Sequence, residues 1–367
     1  MRRRGLRRLR RSLQVVVSER WFKTSLVVLA IGLGLVMLWG DVTPPEPDGR
    51  EPEVILRLPG SSSTLTLGLE EYVKGVVAFE MPATFEMEAL KAQAVAARTF
   101  AVRALVQGGA LAKSEPREQG VARAAQQSGS ADGKPQRVVL DADHRTSQGW
   151  ISQADLKRRW GWARFYSNWA RVSAAVDSTK GFVLTYRGEP ILAAYHSTSG
   201  GRTEDAGNYW LQPVPYLQSV LDPYSGHSPK SSTVLRFPAK EVASRLRSKG
   251  TPLEAGKAET GQSRATSQPS REAIRVLERF PTGRVKYAAV AGRRLTGREV
   301  REALGLPSTW FEVREEDGGR VIRFSVRGYG HGVGLSQYGA DGMAKKDAGF
   351  ERILSYYYRG VQLERWY

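Results

Sequence analysis

Glu80 has the setting in this sequence that best suits acid–base chemistry. It stands near the end of a predicted helix and directly before Met81-Pro82, where proline disfavours helical continuation. The negative end of the helix dipole lies there, which predicts a raised pKa for the Glu80 carboxyl group. A carboxyl group that stays protonated near neutral pH can act as a general acid. The alternative interpretation is a solvated glutamate with no chemical role.

Two of the four histidines stand in polar, glycine-rich loops, each directly after a predicted strand. Glycine at this density lets the backbone approach a ligand or adopt positive φ angles. The neighbouring polar side chains supply hydrogen bonds to hydroxyl groups. The candidate binding residues of the two loops are His196, Ser197, Thr198, Ser199, His331, Ser336, Gln337 and Tyr338. The alternative is that both loops are purely structural.

Other chemistries fit the sequence less well. A Gly-x-Ser-x-Gly nucleophile motif and a P-loop are both absent from the sequence. The chain contains no cysteine, and no ligand-spaced motif joins His196 and His331 to a carboxylate. We therefore expect no cofactor and no metal, with zinc held by the histidines as the alternative.

The elements that would position these residues are short strands and helices. The patterns predict strands over 54–58, 64–67, 181–186, 191–195 and 321–326. They predict helices ending near residue 77, over 90–106, over 154–175, and from about residue 336. The fold class expected is mixed α/β (α+β), with helices packed on short, largely antiparallel sheets. Tryptophans at 160, 162 and 169 are typical of a core, and sugar stacking is the alternative.

The N-terminus predicts a membrane anchor. Residues 1–23 carry nine Lys or Arg and one acidic residue, and 24–40 is an uncharged apolar segment bracketed by tryptophans. This pattern predicts a cytoplasmic basic tail (1–23) and one transmembrane helix (24–40), with a cleaved signal peptide as the alternative. A proline-rich linker (41–53) and an extracytoplasmic catalytic domain (54–367) follow. Low-complexity insertions are expected at about 107–136 and 251–272.

The charge distribution limits the class of partner. The net charge is +18, of which residues 1–23 contribute +8 and the remainder +10. A basic domain outside the membrane suits an anionic polymer or a membrane surface. No nucleic-acid-binding motif is visible, so we expect no nucleic-acid partner.

Four segments carry a resemblance to a known family. They read LEEYVKGVVAFEMPATFEMEALKAQAVAARTFAV, AAYHSTSGGRTEDAGNYW, GYGHGVGLSQYGA and ILSYYYRG. On these motifs the chain resembles the stage II sporulation protein D family, part of the wider amidase-enhancer family. The resemblance covers most of 58–367 apart from the two insertions.

The resemblance implies a membrane-anchored lytic transglycosylase of peptidoglycan. Such enzymes cut peptide-stripped glycan strands to 1,6-anhydro-muramic acid ends during forespore engulfment, in a complex with a cell-wall amidase and a further membrane protein. The glutamate of the family's EMPA motif matches Glu80, which is thereby implied as the catalytic acid. Some members bind zinc through cysteines near the first histidine loop, where this chain has serine and threonine.

The lytic route agrees with the acidic residues of the motifs. A lytic transglycosylase can use one carboxyl group, whereas hydrolytic glycosidases normally use two. Besides Glu80, the acidic candidates near a motif are Glu204 and Asp205. Two alternative functions stay open: a non-catalytic glycan-binding activator of a partner amidase, and a structural link between membrane and wall.

Overall fold

The computed structural model describes residues 51–58, 60, 63–107, 139–143, 147–247, 249–252, 274–290 and 292–367. The chain divides into two compact units, Met1–Pro45 and Glu46–Tyr367, and all described residues belong to the second. Within the described residues, no helix is both long enough and apolar enough to cross a bilayer. The predicted tail and anchor (1–40), and most of both predicted insertions, lie outside the described ranges.

The described elements are short helices and strands. The α-helices are α1 (Leu69–Glu80), α2 (Met87–Gln107), α3 (Gln153–Trp160), α4 (Trp162–Ser178), α5 (Ala206–Trp210), α6 (Ala239–Leu246), α7 (Gly297–Leu304), α8 (Gln337–Ala344) and α9 (Phe350–Tyr357). The strands are β1 (Glu53–Arg57), β2 (Thr64–Gly68), β3 (Val139–Asp141), β4 (Phe182–Tyr186), β5 (Glu189–Pro190), β6 (Tyr195–His196), β7 (Ser232–Pro238), β8 (Thr251–Pro252), β9 (Arg275–Arg279), β10 (Val285–Val290), β11 (Arg293–Thr296), β12 (Phe311–Glu316), β13 (Val321–Arg327), β14 (Leu335–Ser336) and β15 (Gln362–Arg365).

A first hydrophobic core surrounds α2. Ala94, Ala97 and Ala101 of this helix are completely buried, and their small side chains let neighbouring elements approach closely. Helices α1, α4 and α8 and strand β4 all contact α2. Two three-stranded sheets, with strand orders β2-β1-β3 and β15-β4-β5, complete this part of the fold. Helix α1 is therefore packed against this core.

A second hydrophobic core lies within β7 to β13, which we call the second lobe. Its sheets have strand orders β12-β13-β7 and β8-β11-β10-β9, and all of their pairs are antiparallel. Helices α6 and α7 pack against each other, with Val242 and Val300 completely buried in this core. The second lobe is inserted in the chain between the two histidine loops.

The structure confirms the mixed α/β fold with short sheets. Most strand pairs are antiparallel, while β1–β3 and β6–β14 are parallel. The predicted helix at 154–175 is wrong as one element, because the chain turns at Gly161 (φ +74°) and divides it into α3 and α4. The predicted helices near the first motif are confirmed and extend to Glu80 and to Gln107.

The predicted strand at 191–195 is wrong in its extent. The N–H of Ala194 donates to the carbonyl oxygen of Leu192 at 2.9 Å, which is a tight local turn rather than a ladder bond. Ladder pairing resumes at β6, whose partner is β14. This turn directs the chain away from β4 and towards the second histidine loop.

Candidate active site

Glu80 is the last residue of α1, and Met81 already has an extended backbone. The backbone N–H of Gly149 donates a hydrogen bond of 2.8 Å to Glu80 Oε1. Burial raises the pKa of Glu80 to about 7, while Gly149 and the hydroxyl group of Tyr195 lower it in part. The direction of this shift agrees with the sequence argument. Its largest cause, however, is burial rather than the helix dipole.

A cavity of about 600 Å³ opens beside Glu80. Four of the eight predicted binding residues line it together with Glu80: His196, Ser197, His331 and Gln337. The further residues of its wall are Phe100, Ser147, Gln148, Leu192, Ala193, Ala194, Tyr195, Tyr209, Trp210, Lys230, Arg298, Arg301, Glu302, Tyr329 and Gly330. The structure therefore brings the predicted acid and both histidine loops to one cavity.

Backbone pairing holds the two histidine loops side by side. Parallel pairing of β6 with β14 is followed by an antiparallel bridge between Thr198 and Tyr329. At Gly330 φ is +107°, and a Cβ atom there would lie 2.9 Å from Cβ of His196. Glycine is therefore required at position 330, where the second loop contacts His196. The ring centroids of His196 and His331 lie 5.7 Å apart as a result.

Hydrogen bonds fix the tautomers of both histidines. Nδ1 of His196 lies 3.1 Å from the carbonyl oxygen of Val333, so it carries the proton and donates. Nδ1 of His331 accepts the Val333 N–H at 3.0 Å, so the His331 proton is on Nε2. Burial lowers the pKa of His331 to about 3 and that of His196 well below its usual value. Both rings are neutral at pH 7.

Only the first of the two rings offers a free group. His196 Nε2 is a buried acceptor with no hydrogen-bond partner within the described part of the chain. The His331 ring hydrogen-bonds the backbone of Tyr195, which partly offsets the lowering of its pKa. A sugar hydroxyl group can donate to His196 Nε2, so this position suits a carbohydrate.

Thr198 and Ser199 do not line the cavity. Both are buried, and their hydroxyl groups pair with Ser228 (2.7 Å) and Ser225 (3.1 Å). These contacts fasten the first histidine loop to the 225–228 segment.

Ser336 and Tyr338 also lie outside the cavity wall. Ser336 is completely buried and caps α8, because its Oγ accepts the N–H of Gly339 at 3.2 Å. The Tyr338 ring packs edge-on against Phe85, with centroids 4.9 Å apart. Phe85 belongs to the segment directly after Glu80, so Tyr338 supports the acid through the core.

Five aromatic residues of the cavity wall were not among the predicted binding residues: Phe100, Tyr195, Tyr209, Trp210 and Tyr329. The rings of Tyr209 and Trp210, at the end of α5, lie 5.7 and 5.3 Å from the His331 ring. Aromatic faces of this kind stack on the apolar faces of sugars. Tyr209 and Trp210 end the sequence motif that begins with the first histidine loop, and this position is the signal by which they could have been predicted. By contrast, Trp160, Trp162 and Trp169 do not line this cavity.

The second carboxylate of the cavity is Glu302, and the sequence candidates are occupied elsewhere. Glu204 is buried, and its carboxylate accepts hydrogen bonds from Asn208 and Thr282. Neither it nor Asp205 lines the cavity. Glu302 does, but it pairs with Arg298 at 2.8 Å. Across the described ranges, no group of three or more His, Cys, Asp or Glu side chains could hold a metal ion.

Comparison with known proteins shows the family of this chain. The family model "Stage II sporulation protein" matches residues 60–186. Stage II sporulation protein D of Bacillus subtilis (strain 168) is 39% identical over 303 residues, 83% of this chain and 76% of the relative. The Bacillus amyloliquefaciens protein of the same name is 38% identical over 301 residues, 82% of this chain and 75% of the relative.

A more distant relative carries a different name. The "Amidase enhancer" of Bacillus subtilis is 27% identical over 329 residues, covering 79% of this chain and 40% of that protein. The chain belongs to the stage II sporulation protein D family, a family of sporulation proteins.

Proposed function

We propose that this chain is a lytic transglycosylase that cuts peptide-stripped glycan strands of peptidoglycan during forespore engulfment. We further propose a single-pass anchor over residues 24–40, with the domain outside the cell membrane. The proposed partners are a cell-wall amidase and a further membrane protein. The observation that carries the proposal is a partly buried Glu80, with a pKa of about 7, on the wall of a cavity lined by sugar-binding types of side chain.

The proposed reaction needs one carboxyl group. Protonated Glu80 gives its proton to the glycosidic oxygen as the bond from that oxygen to C1 of the muramic acid breaks. The Glu80 carboxylate then takes the proton of the C6 hydroxyl group of the same sugar, and O6 attacks C1. A 1,6-anhydro ring forms and Glu80 is protonated again, so no water is consumed. A pKa near 7 suits a group that must both donate and accept.

The other carboxylate of the cavity is poorly suited to a hydrolytic partner role. Glu302 is held by Arg298, and about half of its side chain is exposed (59%). Hydrolytic glycosidases place a nucleophile or base opposite the acid. The pairing of Glu302 therefore favours the lytic reaction over hydrolysis.

The products distinguish the two reactions. Full-length protein in detergent would be incubated with peptide-stripped glycan in water enriched in oxygen-18, and the products analysed by mass spectrometry. We expect 1,6-anhydro ends without the heavy isotope. Reducing ends that carry one heavy oxygen would show hydrolysis and overturn the proposal.

A second candidate function, activation of a partner amidase, is favoured by the relative named amidase enhancer. It requires glycan binding but not turnover. The test is the amidase rate on intact peptidoglycan with wild-type chain or with Glu80→Gln. Equal stimulation by both proteins would support an activating role that is separate from cleavage. Loss of stimulation with Glu80→Gln would tie any effect on the amidase to glycan cleavage.

A further inference from the structure

The wall of the cavity carries more cationic than acidic side chains. The cationic side chains that line it are Lys230, Arg298 and Arg301. Arg298 is neutralised locally by Glu302 at 2.8 Å. Lys230 and Arg301 form no ion pair with any carboxylate of the described ranges. Two positive charges therefore face the cavity without a protein counter-charge.

Arg301 is held in a defined position. Its Nη1 donates to the Tyr209 hydroxyl group at 2.8 Å, and its Nε donates to the carbonyl oxygen of Leu306 at 3.3 Å. Helix α7, which carries it, begins with a reciprocal capping box between Thr296 and Glu299. The second terminal nitrogen of Arg301 makes no hydrogen bond to the described residues. A guanidinium held in this way is prepared to bind a planar anion.

The positive charge acts on the interior of the cavity. After burial, Arg301 is the largest cause of the lowered pKa of His331. The side chain of Lys230 extends over the Tyr329 ring, 4.2 Å from its centroid, at the same cavity. An anionic group on the ligand is favoured beside these cations, and a glycosidic oxygen is favoured beside Glu80.

We propose that Arg301 forms a carboxylate subsite that binds the lactyl group of a muramic acid without a stem peptide. This inference rests on the proposed glycan substrate. The lactyl group is attached at C3 of the sugar ring whose C1 reacts at Glu80, and Glu80 and Arg301 line the same cavity. A stem peptide converts the lactyl carboxylate into a neutral amide, which removes the charge that Arg301 binds. The subsite thereby selects strands from which an amidase has already removed the peptide.

The test measures binding without turnover. Full-length Glu80→Gln protein in detergent would be titrated with three glycans: peptide-stripped strands, the same strands with lactyl carboxylates converted to methylamides, and peptide-bearing strands. Arg301→Ala, Arg301→Lys and Arg236→Ala would be added to this background. Arg236 is the matched control because it lies on exposed β7 and pairs with Glu316.

We expect the stripped strands to bind roughly ten- to a hundredfold more tightly than the methylamides, the range for one charge-assisted hydrogen bond. Arg301→Ala should abolish this preference and leave methylamide binding unchanged. Arg301→Lys should retain part of it, and Arg236→Ala all of it.

Three outcomes would overturn the subsite. Equal weakening for stripped and methylamide strands would mean that Arg301 only supports Tyr209. No effect of Arg301→Ala would mean that the carboxylate binds elsewhere. Tightest binding of peptide-bearing strands would mean that the cations bind stem-peptide carboxylates. Because binding is measured on an inactive variant, an absence of cleavage by the wild type would refute the proposed reaction without deciding the subsite.

Discussion

The backbone N–H of Gly149 donates a 2.8 Å hydrogen bond to the carboxyl group of Glu80, 69 positions earlier in the chain. A Cβ atom at Gly149 would lie 2.1 Å from the Phe79 ring, so glycine alone fits this position. Phe79, the neighbour of Glu80 on α1, thereby excludes any larger residue at position 149. The proposed catalytic group is held by a donor outside its own sequence motif.

We predict that Gly149→Ala displaces this donor. The Gly149 N–H lowers the pKa of Glu80, so its loss should raise that pKa above 7. The alkaline limb of kcat/KM should move up by about one pH unit, the effect of losing roughly 1.4 kcal/mol of hydrogen bonding. A pH–rate profile on stripped glycan measures the shift. Gly226→Ala is the control, because nothing lies within 4 Å of a Cβ atom there. An alkaline limb at the same pH in both variants would contradict the positioning role of Gly149.

The wild-type pH profile is a separate prediction. Glu80 must be protonated to act as the acid, and its pKa is about 7. We therefore expect kcat/KM to fall about tenfold for each pH unit above 7. His196 and His331 are neutral throughout this range and therefore do not change the pH dependence. A profile that already falls above pH 5 would show an acid with an ordinary pKa and contradict the assignment.

Acid should destabilise the fold through His331. Its folded-state pKa of about 3 lies below the unfolded value of 6.5, so only the unfolded state gains the proton between these values. The stability it contributes is complete above pH 6.5 and is lost as the pH falls towards 3. From pH 7 to 5 we expect a loss of about 2 kcal/mol in the free energy of unfolding.

Urea unfolding at pH 7 and pH 5, for wild type and His331→Asn, measures this loss. Glu80 acts in the opposite direction, because its raised pKa reduces the free energy of unfolding as the pH rises from 4.5 through 7. This contribution is the same in wild type and variant, so it cancels when their losses are compared. The variant should show a smaller loss on acidification. Equal losses in both proteins would mean that the folded-state pKa of His331 is not lowered.

Trp210 and Trp162 form a matched pair for testing sugar stacking. Trp210 lines the cavity, whereas Trp162 is 64% exposed and lies outside the cavity wall. Trp210→Ala should raise KM for stripped glycan roughly tenfold, and Trp162→Ala should leave it unchanged. Steady-state kinetics with both variants tests this difference. Similar effects of the two substitutions would argue against a stacking role for Trp210.

Local sequence patterns were sufficient for part of the site. Proline at 82 ends α1 and sets Glu80 at its terminus, and this is a nearest-neighbour effect. The glycine-rich second histidine loop likewise predicts a close approach of the backbone, and the structure shows it between Gly330 and His196. These features depend on a few consecutive residues, so the sequence predicts them well.

Other parts depend on contacts that no local pattern encodes. Gly149 follows a low-complexity stretch, and its approach to Glu80 is a tertiary contact. Arg301 donates a hydrogen bond to Tyr209, which lies 92 positions earlier in the sequence, because the second lobe is inserted between the two histidine loops. The raised pKa of Glu80 also has burial as its main cause, which requires the folded cavity. The predicted membrane anchor lies outside the described ranges and stays a prediction.

Single-turnover cleavage of stripped glycan by wild type, Glu80→Gln and Glu302→Gln tests the central claim most directly. Gln can still accept the Gly149 N–H but cannot donate a carboxyl proton, so Glu80→Gln should lose roughly a hundred- to ten-thousandfold in rate. Thermal unfolding of each variant confirms that it is folded. Glu302→Gln should cleave within about twofold of wild type, because its carboxylate pairs with Arg298 rather than reacting. An active, folded Glu80→Gln protein, or a Glu302→Gln protein as inactive as Glu80→Gln, would contradict a single-acid lytic mechanism.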